Sequence, residues 1–412
     1  MEARWYVRLS LLSFLSITLM GLLMRAKVVF EMPWVVQKHL QLGHAFFALN
    51  GWVSFSLLWL IWIMFRKKFA CQSKLMPWLL GGQYMLSWVL FAVYLRHGMG
   101  YWSFLVEELM FAWMILTAAH YIYLLCTLTS SRVLRHWLFP ALTFNLLAGA
   151  GLMYLAWHFM HRSLSMQQYL TGFYSYLHYQ YNGWFLFGAM AITTADWTAD
   201  KRSGGYAWIK ALAFLTMAGI LLSLLWHPMP LWLYVFAIGV AIAQLLVWLR
   251  WIHLNQVLLI TESKKLGQPI NWLLKLAGAA IVARMIFQIL STIPALEKIA
   301  FSFRPIVIAY LHLILLGVFS SFLLYWLIRE GWLPNNRLVK ICIWLFLSAF
   351  LSTESLLALQ GMASMSYSQI PLANELLLVF TALFPLSAAG LCWAAWLHKP
   401  LHRGAGLTPE LA

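Results

Sequence analysis

The sequence predicts an all-α polytopic membrane protein in which residues 1–412 form a single domain of twelve transmembrane helices. Two features of composition indicate this class, because 63% of the residues are hydrophobic and only 10% are charged, whereas a soluble domain carries about 25% charged residues. The third observation is that long apolar runs follow one another with short polar gaps. Segments that cross a bilayer this way must be helices, because lipid offers the backbone no hydrogen-bond partners.

Twelve windows of about 20 apolar residues, enough to cross a hydrocarbon core of about 30 Å, can be placed along the chain. They lie at roughly 7–25, 44–65, 77–95, 103–126, 137–157, 174–194, 206–226, 230–252, 271–291, 304–328, 340–360 and 372–397. The first window has a basic start, as a signal peptide would, but no small-x-small cleavage pattern ends it. We therefore interpret it as a retained first helix.

The positions of Lys and Arg predict the orientation. With the N-terminus inside, most of the 28 basic residues fall on the inner side, as the positive-inside rule requires. Both termini are therefore predicted to be cytoplasmic, with a short tail over 401–412, in a multi-pass protein of a bacterial-type inner membrane. The net charge of +16 does not indicate nucleic-acid binding, because the basic residues are scattered between apolar runs.

A histidine followed by a glycine recurs in the second helix of each third of the chain. The pairs are His44 and Gly51 in helix two, His178 and Gly183 in helix six, and His312 and Gly317 in helix ten. This self-similarity predicts three pseudo-repeated four-helix units, at roughly 1–135, 136–268 and 269–400. The register is imperfect, because alignment of the glycines places Phe46, not His44, opposite the other two histidines.

The predicted topology places four imidazoles in the outer third of the bilayer, because His227 follows helix seven on the same side as the other three. Histidine inside a membrane normally faces a bundle interior or a cavity. Imidazole is also the usual protein ligand of haem iron and of copper. For His44 and His227, which lie near helix ends, the alternative is contact with lipid headgroups.

Twelve helices in three groups of four, with histidines toward the outer side of helices two, six and ten, resemble subunit I of the haem-copper oxidase superfamily. The resemblance implies that His44 is a helix-two haem ligand and His312 a helix-ten haem ligand. It also implies that His178 is a helix-six copper ligand and that His227 is the first copper ligand after helix seven.

The sequence departs from that family at three places. Helix ten reads Tyr310-Leu-His312 without a His-x-His pair, His227 is followed by Pro228 rather than by histidine, and His178 is followed by Tyr-Gln-Tyr rather than a Pro-Glu type sequence. A complete oxygen-reducing centre is therefore not expected. The chain resembles a degenerate relative, near the NnrS-type membrane proteins, which are associated with nitric oxide stress.

The predicted function is binding of haem, with copper as a second metal, for nitric oxide or oxygen handling or for electron transfer. The partners implied are membrane lipids and a redox partner or small gas molecule. Whether the chain is an enzyme stays open, and an oxidoreductase-like subunit without a complete oxygen-reducing centre is the form considered. Two alternatives remain: a proton-coupled transporter, and a metal-free structural or assembly relative of the same fold.

Charged residues inside the predicted spans give two further expectations. Arg284 in helix nine and Glu354 in helix eleven lie at similar depth, so we expect them to pair; the alternative is a role in transport or proton transfer. Glu107, Glu108 and Glu375 lie near outer helix ends, where carboxylates line a proton or ion entrance or are simply solvated. The sequence does not distinguish these two readings.

Overall fold

The computed structural model describes residues 3–128, 132–195, 206–296, 303–366 and 368–398, and over these ranges the chain contains helices but no strand. Eleven helices in the described ranges are long and apolar enough to cross a membrane. The all-α polytopic membrane class predicted from the sequence is therefore confirmed. The predicted tail over 401–412 lies outside the described residues.

We number the long helices α1 to α12 in chain order. Their bounds are α1 Ala3–Val29, α2 Gln37–Phe69, α3 Leu75–His97, α4 Tyr101–Leu128, α5 Arg132–Met160, α6 166–194, α7 Ala207–Leu224, α8 Leu231–Ser263, α9 Ile270–Leu290, α10 Arg304–Arg329, α11 Arg337–Met365 and α12 Ala373–Leu397. The eleven candidate spans are these helices without α6, whose first half is rich in tyrosine and glutamine. The count of twelve spans therefore stays a prediction.

Local sequence signals account for several helix starts. Ser165 caps α6 in a capping box with Gln168, since the Ser165 hydroxyl accepts from the Gln168 backbone and the Gln168 side chain accepts from the Ser165 backbone. Asn336 accepts from the backbone N–H of Val339 at 3.0 Å and so begins α11. Pro305 lies in the first turn of α10, where its missing N–H costs nothing.

Three helices contain a π-helical segment at the position of the recurring glycine. The segments are Ala48–Ser54 in α2, His178–Phe185 in α6 and Leu313–Ser320 in α10. π-Helical segments are rare in proteins, and those that do occur often lie at functional sites. The segment in α2 packs against the segments in both α6 and α10, so the three irregular regions meet in the interior of the bundle.

Helix α2 is the central helix, and its apolar membrane window is fully buried. Hydrogen bonds from its π-helical segment bind it to its neighbours. Trp52 donates to the Ser320 hydroxyl of α10 at 2.9 Å, and Trp184 of α6 donates to the Ser54 hydroxyl at 2.8 Å. Such bonds between membrane helices contribute about 1 kcal/mol each, and they fix the rotation of α2 about its axis.

The outward faces of the peripheral helices carry exposed apolar side chains, as lipid contact requires. Examples on five different helices are Trp78, Leu109, Phe214, Leu246 and Val379. Helices α1 and α12 pack along each other, and α12 also packs on α11. The first and last helices therefore meet, and together with α2, α10 and α11 they enclose the site described next.

Candidate functional site

A cavity of about 570 Å³ lies at the end of the bundle where α1 and α11 end and α2, α10 and α12 begin. Its walls come from these five helices and are mostly apolar. A volume of this size is in the range of small-molecule and cofactor sites, which are typically about 300–1,000 Å³. The cavity is therefore the candidate ligand site of the chain.

The cavity brings together two of the four predicted site histidines, His44 from α2 and His312 from α10. His44 is half-buried, and its Nδ1 atom has no hydrogen-bond partner among the described residues although the atom itself is inaccessible to solvent. The backbone of α1 approaches the ring closely, because a Cβ added at Gly21 would lie 3.6 Å from His44 Cε1. The His44 ring therefore lies in the cavity wall, against the backbone of α1.

His312 is held by a carboxylate from the next helix. Its Nδ1 atom lies 3.1 Å from Oε1 of Glu354 on α11, and the two side chains are 30% and 16% exposed. A carboxylate acceptor favours the tautomer in which Nδ1 carries the proton and donates it to this bond. The lone pair of His312 Nε2 is then left free to bind a ligand in the cavity.

The mouth of the cavity is positively charged. Arg25 at the end of α1 and Arg304 at the start of α10 both line it, and their charges repel each other. Arg304 donates to Oε1 of Gln41 at 3.2 Å. None of the described residues that line the cavity is acidic, so the site favours a ligand that is apolar in its body and anionic at one end.

His178 does not line this cavity. It is fully buried, its Nε2 lies 2.8 Å from the Thr216 carbonyl of α7, and its Nδ1 lies 3.0 Å from Nδ2 of Asn182. Since the carbonyl can only accept, Nε2 carries the proton and Nδ1 accepts from Asn182. Both ring nitrogens are therefore engaged, and a metal would have to displace one of these bonds.

Arg284 and Glu354 do not form the pair that the sequence led us to expect. Arg284 of α9 is buried and donates to Oδ1 of Asn182, while Glu354 contacts His312. Equal depth does not determine which face of a helix a residue occupies, and the rotation of α9 directs Arg284 toward α6. The basic residue thus extends the polar network that begins at His178.

His227 lies apart from the other three histidines. It is exposed in the turn after α7, where its Nδ1 lies 2.8 Å from the carbonyl of Pro228. Over the ranges that the structure describes, no group of three or more His, Cys, Asp or Glu side chains is arranged to hold a metal ion. The copper roles of His178 and His227 stay predictions.

Arg25, Arg304 and Gln41 were not singled out from the sequence. Each lies at the end of a predicted span, and the alternating topology places all three on the same side as His44 and His312. The signal that could have found them is therefore topological: polar and basic residues at adjoining helix ends on the side of the histidines.

Comparison with known proteins adds no family assignment, because no protein-family model matches the chain and no curated protein matches it either. The resemblance to haem-copper oxidase subunits and to NnrS-type proteins thus depends on the number of spans and on the positions of the histidines. Among these positions, His44 and His312 line one cavity.

Proposed function

We propose that the chain is a haem-binding membrane protein of haem-copper-oxidase-like architecture, in which His44 and His312 would hold the haem. The observation that carries this proposal is that imidazoles from α2 and α10 line one cavity and that the second is held by a carboxylate. Such a haem would serve electron transfer, or nitric oxide or oxygen handling.

The residues present fit the group. A porphyrin supplies four nitrogen ligands, so haem iron needs only two from the protein, and imidazole is a usual choice. The apolar walls suit the macrocycle, and Arg25 and Arg304 at the mouth are placed to bind two propionates as charge-assisted pairs. A bound haem would supply reversible one-electron exchange and a metal centre that can bind small gas molecules.

Glu354 is the positioning residue of this site. Its carboxylate accepts a hydrogen bond from Nδ1–H of His312, which fixes the orientation of the ring and raises the basicity of Nε2. His44 has no such carboxylate, because the group beside its ring is the backbone of Ile17. The backbone of α1, not a charged acceptor, would therefore orient His44.

The three π-helical segments support the three-unit architecture, since each contains the recurring glycine of its unit. We extend this to twelve spans in units of roughly 1–135, 136–268 and 269–400, with both termini in the cytoplasm of a bacterial-type inner membrane. In that orientation the cavity opens to the extracytoplasmic side. Copper is not included, because both nitrogens of His178 are engaged and His227 is exposed.

The test is an optical spectrum of the detergent-purified protein, oxidised and reduced, combined with elemental analysis for iron. We expect a Soret band that shifts on reduction, and an iron content of about one atom per protein chain. His44→Ala and His312→Ala should each change or abolish the band, whereas His227→Ala, at an exposed position, should leave it unchanged. Purified protein with neither Soret absorption nor iron would overturn the proposal.

A further inference from the structure

Glu107 on α4 is a buried carboxyl group that the proposed haem site does not use. Its side chain is 2% exposed, whereas its neighbour Glu108 is exposed. The sequence left open whether these two residues line an entrance or are solvated. The structure distinguishes the two residues: Glu108 is exposed at the surface of the bundle, whereas Glu107 is buried inside it.

Among the described residues, the groups around Glu107 are phenols and one further carboxyl group, and none is a cation. Tyr94 of α3 donates to Oε1, while Oε2 is buried and has no partner among the described residues. No lysine, arginine or histidine within the described ranges bonds to the carboxyl group. The titratable groups that face it are Tyr94 from α3, Glu108 from its own helix, and Tyr169 and Tyr176 from α6.

A carboxylate anion in these surroundings is unfavourable. Burial removes the water that would stabilise the charge, and no positive group replaces that water. Glu108 adds a like charge nearby, which disfavours the anion further. A proton on Oε2 removes the charge, and Oε1 still accepts the hydrogen bond from Tyr94.

We propose that Glu107 is a proton-binding site of the membrane domain, one whose Oε2 holds a proton at neutral pH. This site is independent of haem, since it lies between α3, α4 and α6, away from the cavity with His44 and His312.

The position of Glu107 connects its charge to the central helix. Tyr94 stacks on Phe46 of α2 with ring centroids 4.9 Å apart, and Phe46 stacks on Tyr176 at 5.5 Å. The Tyr176 hydroxyl accepts from Asn50, within the π-helical segment of α2, at 3.1 Å. Loss of the proton would therefore strengthen the hydrogen bond from Tyr94 to Glu107. Tyr94 would then shift relative to Phe46 of α2, on which its ring stacks.

The experiment is infrared spectroscopy of the full-length protein in detergent, in H2O and in D2O at neutral pH. We expect a carbonyl band of a protonated carboxylic acid that shifts in D2O and is lost in Glu107→Gln. The matched control is Glu108→Gln, which changes an exposed carboxylate one residue away and should leave the band unchanged.

Tyr94→Phe is the second variant, and it decides the question if Glu107→Gln does not fold. Removal of the phenol should move the band to higher frequency without abolishing it, because the carbonyl loses its hydrogen bond. Identical carbonyl regions in wild type and Glu107→Gln, or a band unaffected by Tyr94→Phe, would overturn the assignment.

Discussion

The Nδ1 atom of His312 on α10 lies 3.1 Å from Oε1 of Glu354 on α11, beside a cavity whose walls are mostly apolar. This contact determines which nitrogen of the ring faces the cavity. It also gives the Glu354 carboxylate a hydrogen-bond partner, in addition to the nearby charge of Arg25. Each side chain therefore depends on the other, and the effect of removing the carboxylate can be predicted.

Glu354→Ala should weaken haem binding by about 10–100-fold, the usual effect of losing a residue that orients a metal ligand. The reason is that His312 loses the acceptor that fixes its tautomer. Titration of haem into protein stripped of haem, followed at the Soret band, measures the affinity. Glu354→Gln should be milder, because its amide oxygen still accepts from Nδ1. Glu375→Ala, an exposed carboxylate on α12, is the control and should bind haem as wild type does.

Gly151 is expected to be sensitive to substitution because α5 and α6 cross closely there. A Cβ added at Gly151 would lie 2.9 Å from the Gly172 carbonyl oxygen and 2.9 Å from the Tyr176 backbone nitrogen. Backbone atoms cannot rotate away as a flexible side chain can, so the helices must separate. Gly151→Ala should lower the free energy of unfolding by about 1–3 kcal/mol, measured by denaturant unfolding in detergent.

The matched control for that prediction is Gly239→Ala. Gly239 is exposed on α8, and a Cβ there would meet nothing within 4 Å. Alanine is the better helix former by roughly 0.5–1 kcal/mol in the interior of a helix, so this variant should be neutral or slightly stabilised. Equal destabilisation of the two variants would show that the α5–α6 crossing is not the cause.

Glu330, just beyond the end of α10, should make stability depend on pH in the acid range. Burial acts to raise the pKa of Glu330, but Lys67, with Nζ 2.6 Å from Oε2, and Arg329 hold that pKa below its ordinary value of 4.5. The folded state therefore favours the ionised form. Its contribution is complete above pH 4.5 and is lost as the pH falls through the lower folded-state pKa.

The measurement is the unfolding midpoint in detergent from neutral pH to below the ordinary glutamate pKa. Glu330→Gln should reduce the loss of stability on acidification, because glutamine does not titrate. It should not abolish the loss, because other carboxylates remain. Glu31→Gln, at an exposed position in the turn after α1, should leave the wild-type slope unchanged. A wild-type slope in Glu330→Gln would contradict the assignment.

The helices and one pair of histidines could be predicted from the sequence because both depend on one-dimensional properties. Bilayer thickness fixes the length of each apolar run, and alternating direction places His44 and His312 at the same end of the bundle. Rotation about the helix axis is different, because it is set by packing. The partner of Arg284 and the engagement of His178 with Thr216 therefore required the structure.

The π-helical segments also could not be predicted. Their glycines recur in the sequence, but a change from α-helical to π-helical hydrogen bonding depends on contacts with neighbouring helices. One such contact is the bond from Trp52 to Ser320, which joins two of the segments. Both residues look like ordinary membrane-helix residues until α2 and α10 are placed side by side.

Asn182 connects His178 to Arg284, and its loss should be costly. Its Nδ2 donates to His178 Nδ1 at 3.0 Å and its Oδ1 accepts from the buried Arg284 guanidinium. Asn182→Ala leaves that cation without its acceptor, and a hydrogen bond to a charged group contributes about 1.5–3 kcal/mol. We expect a loss of that size in the free energy of unfolding, measured with denaturant in detergent.

The matched control is Asn145→Ala on α5. It removes the same atoms from a side chain of similar burial, and Asn145 Oδ1 has no partner among the described residues. The difference between the two variants therefore isolates the bonds of Asn182, and equal losses would mean that these bonds contribute nothing to stability.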